Sequence, residues 1–264
     1  MFANLRQLVR YRGLIQSLVA RDLKARYRGS VLGFVWSFVN PLLLLAIYSF
    51  IFTTIMPSRV DGVEHYALFM LCGILPWTWF SASLTEASGS LIAGGNLIKK
   101  VLFPAEVLPI VSVLANMIHF FLALPIVIAF LVIYQHPPDG LALVWFPVVV
   151  LVQLVFSVGL ALMLAALTVH FRDLRDVLAN VLTLWFFTTP IIYPWFQGEL
   201  EPYRSLFNLN PFTHLAVSYQ ELLYFEGPFG HWRWLVALGV ASIGIFLAGY
   251  WVFDRLRDSF AEAV

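Results

Sequence analysis

Residues 21–52 read RDLKARYRGSVLGFVWSFVNPLLLLAIYSFIF, and this stretch decides the fold. Its beginning is rich in arginine and lysine, whereas no side chain from 31 to 56 carries a charge. A helix over those residues is about 39 Å long, at about 1.5 Å per residue, and the hydrocarbon core of a bilayer is only about 30 Å thick. The cations cannot enter lipid and the apolar segment cannot stay in water. The junction therefore predicts a membrane boundary.

The composition of the chain is far more apolar than that of a soluble domain. Hydrophobic residues make up 61% of it and charged residues 12%, against roughly 45–50% and about 25% in soluble proteins. Such a chain has too little polar surface to coat a globule in water, so it is predicted to be an all-α polytopic membrane protein. The net charge of +1 indicates no nucleic-acid partner. The single cysteine, Cys72, cannot form an intrachain disulfide and is expected to be a small buried side chain.

Apolar runs along the chain predict six transmembrane helices. They lie at about 31–56, 66–84, 105–134, 141–169, 177–195 and 232–253. With six spans both termini share one side of the membrane, and thirteen of the sixteen Lys and Arg residues fall on that side. Because basic loops stay in the cytoplasm, both termini are predicted to be cytoplasmic. No internal sequence repeat is visible, which disfavours an inverted-repeat secondary transporter.

The segment before the first span is predicted to form an amphipathic helix over about 5–28, which lies in the headgroup layer. One interpretation is a positively charged flank that only sets the topology. The other is an interfacial helix that also docks a partner. Arg12, Asp22 and Arg26 interrupt its apolar face, and Gly13 is a candidate break in the helix.

A short helix is predicted between the fifth and sixth spans, within about 197–231. Asn210 is its expected N-cap and Pro211 its first residue. Apolar side chains then recur at helical spacing as far as Leu223. At about 21 Å this helix cannot cross a bilayer, so we interpret the region as a re-entrant or surface-lying hairpin.

No motif in the sequence supplies catalysis or energy. Gly89 and Gly94 have the spacing of a phosphate-binding loop, but Gly95 and Asn96 follow where Lys and Ser or Thr are needed. No His, Cys or Glu cluster has metal-ligand spacing along the chain, and no Asp or Glu lies in mid-span. We therefore expect no enzyme activity, cofactor or metal in this chain, and an energy source in another polypeptide.

Aromatic residues make up 16% of the chain and concentrate in spans 1, 2 and 5. An interfacial aromatic belt with ordinary packing explains such residues. A conduit for sugar rings is the alternative, because the apolar face of a pyranose rests on an aromatic face. Rigid aromatic side chains lose little entropy on such contact.

Five sequence blocks carry a resemblance to a known family. They are RDLKARYRGSVLGFVWSFVNPL, GILPWTWFSASL, NLIKKVLFPAEVLPI, FRDLRDVLANVLTLWFFTTPIIYP and NPFTHLAVSYQ. In this order they resemble the type-2 ABC exporter permeases that move O-antigen, capsular polysaccharide or teichoic acid. The resemblance implies a cytoplasmic interface helix over 1–29 and a six-span transmembrane domain over 30–264, with gate helices in the hairpin before the last span.

The resemblance also implies partners. These are a second copy of the chain, the lipid bilayer, an undecaprenyl-linked polysaccharide, and two ATPase subunits that carry ATP and magnesium. The expected location is the bacterial inner membrane. A drug or lipid exporter of the same class is the alternative, and a membrane-embedded lipid-modifying enzyme is disfavoured because no catalytic acid cluster is visible.

Four sets of site residues follow from the resemblance and the aromatic pattern. The expected channel aromatics are Trp36, Tyr48, Phe52, Trp77, Trp185, Phe186 and Tyr193. The expected ATPase-coupling residues are Glu86, Asn96, Lys99, Lys100, Phe103, Pro104 and Glu106. The interface helix contributes Arg21, Asp22, Arg26 and Arg28, and the gate contributes Asn210, Pro211, Phe212 and Tyr219. Lys99 and Lys100 either attract a pyrophosphate or only anchor the topology.

Overall fold

A computed structural model describes residues 11–26, 28–30, 33–55, 63–100, 103–140, 142–194, 202–225 and 227–260. The start of the predicted amphipathic helix and the start of the predicted hairpin, at 197–201, lie outside the described residues. The side chains of Phe52 and Lys100 lie outside them as well. All elements in the described ranges are helical.

Ten α-helices are described, and we number them in chain order. They are α1 Arg12–Arg26, α2 Trp36–Phe50, α3 Tyr66–Ala93, α4 Gly95–Lys100, α5 Val107–Ile133, α6 Phe146–His170, α7 Leu174–Phe187, α8 Arg204–Leu209, α9 Pro211–Leu223 and α10 Trp232–Leu256. Short 3₁₀ turns at Gly33–Val35, Ala142–Trp145 and Arg257–Ser259 and a π-turn at Ile51–Ile55 extend some of them.

Four of these helices are long and apolar enough to cross a membrane: α3, α5, α6 with its preceding turn, and α10 with its following turn. They overlap the second, third, fourth and sixth predicted spans. Helix α3 continues to Ala93, beyond the predicted end at Leu84. The extension contains no proline, and its hydroxyl groups bond back to its own carbonyls, as Ser88 does to Thr85 and Ser90 to Ala87. Much of the segment between the second and third predicted spans is therefore helix.

The first and fifth predicted spans correspond to the shorter helices α2 and α7, of 15 and 14 residues. Helical geometry continues on both sides of α2, over 33–55. Helix α7 ends at Phe187 and not at 195. Pro190 lacks an N–H and disfavours helix at the residue before it, and the Thr188 and Thr189 hydroxyls both donate to the carbonyl of Trp185. In the described residues, four spans are shown by length and composition, and the other two stay predictions.

Helix α3 lies at the centre of the bundle and packs against α5, α6 and α9. Pro76 and Pro125 sit inside α3 and α5 without ending them. The buried Gln153 side chain of α6 donates to the Pro76 carbonyl at 2.8 Å, which gives its amide a partner where water is absent. Cys72 is fully buried, as predicted.

Helices α6 and α10 approach so closely that only glycine fits at the crossing. A Cβ atom on Gly249 would lie 2.0 Å from the Gly159 carbonyl oxygen, and one on Gly159 would lie 2.7 Å from the Phe246 backbone. Small residues at such crossings let helix backbones pack by van der Waals contact. The last long helix is therefore held to the middle of the bundle.

Helix α1 packs along the first half of α5. Leu18 and Val19 are buried against Val107, Val111 and Ala115. The described helix begins at Arg12, with Gly13 in its first turn. This apolar contact places α1 beside the N-terminal part of α5.

The predicted short helix between spans is confirmed as α9, and its expected cap is confirmed as well. The Asn210 side chain accepts a hydrogen bond from the Phe212 backbone N–H at 3.0 Å, and Pro211 occupies the first turn. Nearly all of α9 is buried. It is a packed part of the bundle, against α3, α6 and α10.

Candidate functional site

Four polar side chains join helices α1, α3 and α5, and we call them the polar junction: Asp22, Arg26, Glu86 and Asn116. The guanidinium of Arg26 donates through Nε to Asp22 at 2.9 Å, through Nη1 to the Asn116 carbonyl oxygen at 3.0 Å, and through Nη2 to Glu86 at 2.5 Å. The Asn116 amide also donates to Glu86 at 2.7 Å. Each polar group thus has a partner in another helix or in the next turn.

Arg26 is the centre of the polar junction because its planar fork reaches three acceptors at once. Burial lowers its pKa, but Glu86 and Asp22 outweigh burial and raise it, so the side chain stays charged. Asp22 and Arg26 were expected to interrupt the apolar face of the interface helix. That face meets α5 through Leu18 and Val19, and it meets α3 through Arg26, which is paired with Asp22 on its own helix.

A cavity of about 590 Å³ lies beside the polar junction, among α1, the end of α3, α4, the start of α5 and the start of α7. Its polar lining includes Arg21, Arg26 and Arg175 with Asp22 and Glu86. The cavity therefore combines both charge signs and opens at the end of the bundle that carries α1.

The predicted coupling residues do not form one cluster. Glu86 belongs to the polar junction. Asn96 and Lys99 are exposed on α4, and Phe103 packs beside the contact between α1 and α5. Pro104 is buried.

Glu106 stands apart from the other coupling residues. It is 1% exposed, and neither carboxylate oxygen has a hydrogen-bond partner. Its Oε2 atom lies 3.8 Å from the Nη2 atom of Arg257, in the turn after α10. The loop after α4 is thus tied to the end of the last helix by one long ion pair.

Of the four interface residues, Asp22 and Arg26 meet in the polar junction. Arg21 is exposed and lines the cavity, and Arg28 is exposed in the turn after α1.

Three of the predicted channel aromatics form one group with a predicted gate residue. The Trp77 ring lies 6.3 Å from Trp185, 5.7 Å from Phe186 and 4.8 Å from Phe212, measured between ring centroids. The Trp185 indole N–H donates to the Asn210 side chain at 2.7 Å. Since Trp77 is only 6% exposed, much of its surface serves packing in the single chain.

An open cleft of about 480 Å³ lies next to this group, between α2, α3 and α7, and we call it the aromatic cleft. Its lining residues are Leu44, Ile74, Trp77, Thr78, Ser81, Thr85, Ala179, Leu182, Thr183 and Phe186. None of them is charged.

The aromatic cleft has four hydroxyl groups on its wall. They belong to Thr78, Ser81, Thr85 and Thr183, and each donates its hydrogen to a carbonyl of its own helix, three or four residues earlier. The oxygen lone pairs are what these groups can offer to a bound molecule. The cleft therefore presents aromatic surface and hydrogen-bond acceptors together.

Of the other expected channel aromatics with described side chains, none is among the residues that line this cleft. Trp36 is 38% exposed at the start of α2, and Tyr48 packs against the core from the same helix. The side chain of Phe52 is outside the described residues. Tyr193 donates its hydroxyl to the Phe187 carbonyl at 2.9 Å and contacts Phe207 of α8.

The predicted gate residues cap and pack α9, and two of them, Asn210 and Phe212, also contact the aromatic group. Asn210 caps α9 and accepts from Trp185, and its amide donates to the Thr188 carbonyl at 3.2 Å. Phe212 and Tyr219 are fully buried, and Tyr219 packs against Phe120 at 5.6 Å. Pro211 is half-buried.

Residues 13–224 match the sequence family described as ABC-2 type transporter. The chain belongs to that family. It is 42% identical, over 100% of both chains, to the O-antigen export system permease protein RfbA of Myxococcus xanthus. It is 33% identical, over 94% of both chains, to RfbA of Klebsiella pneumoniae. The polysialic acid transport protein KpsM of Escherichia coli is 22% identical over 78% of this chain and 80% of that protein. The resemblance of the five sequence blocks to ABC permeases is thus confirmed.

For this family member, sequence reasoning missed several residues of the site. Asn116 was visible as a polar residue in an apolar run, but nothing in the sequence named its partner. Arg175 lies over Gly89 of α3, within 3.2 Å of where a Cβ atom would be. Arg257 and the hydroxyl groups of the aromatic cleft carried no signal at all, because serine, threonine and terminal arginine are common in such positions.

Proposed function

We propose that this chain is the membrane subunit of an ABC exporter that moves a lipid-linked polysaccharide, driven by ATP hydrolysis in separate subunits. The main support for a polysaccharide substrate is the similarity to an O-antigen export permease over the full length of both chains. A permease named for polysialic acid at lower identity supports a glycan rather than a small drug.

The proposed topology has six spans, with α2 and α7 as the two additional ones and both termini in the cytoplasm, in the inner membrane. Leu43 and Ile47 of α2 and Val177, Val181 and Leu184 of α7 are exposed in the single chain. Apolar side chains on these helices need lipid or a second protein surface. A second copy of the chain facing α2 and α7 would cover them and close the aromatic cleft into a channel.

The proposed motion starts at α1. ATPase subunits bound at that end of the bundle would pull α1 and the loop after α3, and the polar junction would pass the displacement to α3 and α5. Glu86 and Trp77 lie on the same helix, about 14 Å apart along its axis. Helix α3 thus links the polar junction mechanically to the aromatic cleft.

The proposed role of the aromatic cleft is to give weak contacts to a sliding sugar chain. Trp77 and Phe186 offer faces for pyranose C–H groups, and the wall hydroxyls accept hydrogen bonds from sugar hydroxyls. Weak, repeated contacts let a polymer move, whereas tight ones would hold it.

Complementation of a deletion strain tests this proposal. We expect loss of surface polysaccharide and accumulation of lipid-linked glycan inside the cell, both restored by the wild-type chain. Phe186→Ala should slow export more than it slows ATP turnover by the purified complex. Val240→Ala, at a side chain 67% exposed on α10, is the matched control and should leave both unchanged.

Two outcomes would contradict the proposal. Normal surface polysaccharide in the deletion strain, together with altered drug tolerance or lipid composition, would favour the drug or lipid exporter. An equal effect of Phe186→Ala on export and ATP turnover would make the aromatic group a packing element only.

A further inference from the structure

Three side chains with metal-ligand chemistry meet at the end of the bundle opposite the polar junction. Glu64 and His65 directly precede α3, and His136 follows α5. One ligand atom from each lies within 4.8 Å of the other two. Glu86 of the polar junction is about 30 Å away along α3.

The tautomer of His136 leaves a lone pair on the side of Glu64. Its Nδ1 atom lies 3.1 Å from the Tyr134 carbonyl oxygen. A carbonyl only accepts, so Nδ1 carries the hydrogen and Nε2 is the free nitrogen. A backbone carbonyl on the second ring nitrogen is the usual way in which proteins orient a metal-binding histidine.

Nε2 of His136 faces a carboxylate rather than a donor. The Glu64 Oε2 atom lies 4.0 Å from it. Two electron-pair donors at this distance need a bridging hydrogen-bond donor or a cation between them. Tetrahedral zinc, with bonds of about 2.0–2.1 Å, would bring the ligand atoms to about 3.3 Å, and the Glu64 side chain is 77% exposed and has room to close.

The backbone holds both histidines in place. Helix α5 ends in a Schellman motif, in which the N–H of His136 bonds to the Leu131 carbonyl at 2.8 Å and that of Gln135 to Val132 at 3.1 Å. Gln135 takes the left-handed conformation, with φ of 62°, that this motif requires.

His65 is fixed from the other side. Its N–H donates to the Tyr224 hydroxyl at 3.0 Å, and its carbonyl accepts from the first turn of α3. The Tyr224 ring also stacks on His136 at 5.5 Å. One tyrosine at the end of α9 therefore positions both histidines.

We propose that Glu64, His65 and His136 bind a zinc ion, with water as the fourth ligand. Two imidazoles and one carboxylate suit zinc, whereas magnesium and calcium prefer sites made of oxygen. Bound zinc would tie the start of α3 to the end of α5, next to α9. This proposal does not depend on the substrate of the exporter.

Zinc retention by the purified full chain tests the proposal. The chain carries an affinity tag without histidine, is stripped with a chelator in mild detergent, and is equilibrated with zinc chloride before gel filtration. Elemental analysis should then find about one zinc per chain in the wild type. Glu64→Gln and His136→Gln should each lose it, with an unfolding temperature that no longer rises when zinc is added.

Two further variants separate zinc binding from misfolding. His170→Gln changes a histidine that contacts Ala166 and Ser259 at the opposite end of the bundle, and it should keep its zinc. Tyr224→Phe, at a positioning residue, should weaken zinc binding about 10-fold in competition with a fluorescent chelator.

Equal zinc in the wild type and both ligand variants would overturn the proposal. So would no retained zinc in the wild type.

Discussion

Replacing Arg26 with lysine tests whether the geometry of the guanidinium, and not only its charge, holds α1 to the bundle. Lysine keeps the charge but lacks the planar fork that reaches Asp22, Asn116 and Glu86. It can satisfy one of these acceptors well and leaves the others to water or to each other.

The expected magnitude follows from the bonds that are lost. A hydrogen bond to a charged group contributes about 1.5–3 kcal/mol. The Arg26 and Glu86 side chains are 25% and 39% exposed, so water replaces part of each bond. We expect Arg26→Lys to lower the free energy of unfolding by about 1–2 kcal/mol and Arg26→Ala to lower it by about 2–4 kcal/mol.

A double-mutant cycle with Glu86→Gln measures the coupling directly. The chain is unfolded by heat in detergent, and cleavage within α1 by a protease reports whether that helix has detached. Arg21→Lys is the matched control, because Arg21 lies exposed on the same helix and lines the same cavity. It should change neither measurement.

The effects of Arg26→Lys and Glu86→Gln should fail to add by about 1 kcal/mol or more, because each removes the same contact. Additivity within about 0.5 kcal/mol would refute the polar junction as a coupled unit. Unchanged protease resistance in Arg26→Ala would show that the apolar contact of Leu18 and Val19 alone holds α1.

Three further predictions concern other parts of the bundle. Arg257→Ala should cost more stability than Glu106→Gln, by about 1–2 kcal/mol in thermal unfolding, because it leaves a buried carboxylate unpaired; the reverse order would contradict this account. Gly249→Ala should cost about 3 kcal/mol or prevent assembly, while Gly244→Ala, which has open space at its Cβ position, should be neutral. Equal effects would show that α6 and α10 can separate without loss. Burial lowers the pKa of His231 to about 4. Below about pH 6.5 the unfolded chain therefore binds a proton at this histidine that the folded chain does not bind. Stability should fall by up to about 3 kcal/mol between pH 6.5 and pH 4 and level off below it, and His231→Asn should flatten that slope in unfolding scans; an unchanged slope would assign the loss to other groups.

Patterns local to the chain predicted the local structure well. The Asn210 cap was readable because cap, proline and apolar spacing lie within a few residues. The end of α3 was not, because the serine and threonine residues after Leu84 are compatible with both helix and loop. The end of α7 was misplaced because apolar residues continue past Pro190, and hydropathy does not register the missing N–H.

The candidate site was predicted only in its parts. Arg26 and Glu86 were both expected in regions that meet the ATPase, but as separate elements. Their contact joins residues 60 positions apart, and the contact with Asn116 joins residues 90 apart. The proposed zinc site escaped sequence reasoning for the same reason, since metal ligands were sought at short spacing and His136 lies far along the chain from His65.

The sequence by itself determined that this chain is a membrane protein, where its apolar segments lie, and which transporter family it belongs to. The transfer free energy of a side chain and the cost of moving a charge through lipid depend on the type of each residue. Both can therefore be estimated from the order of residues along the chain. The tertiary structure alone decided which polar groups meet. Arg26 contacts Glu86, Gly249 packs against Gly159, and His65 lies beside His136. Each contact depends on how the helices are rotated and packed against one another, and the order of residues in the chain does not specify that packing.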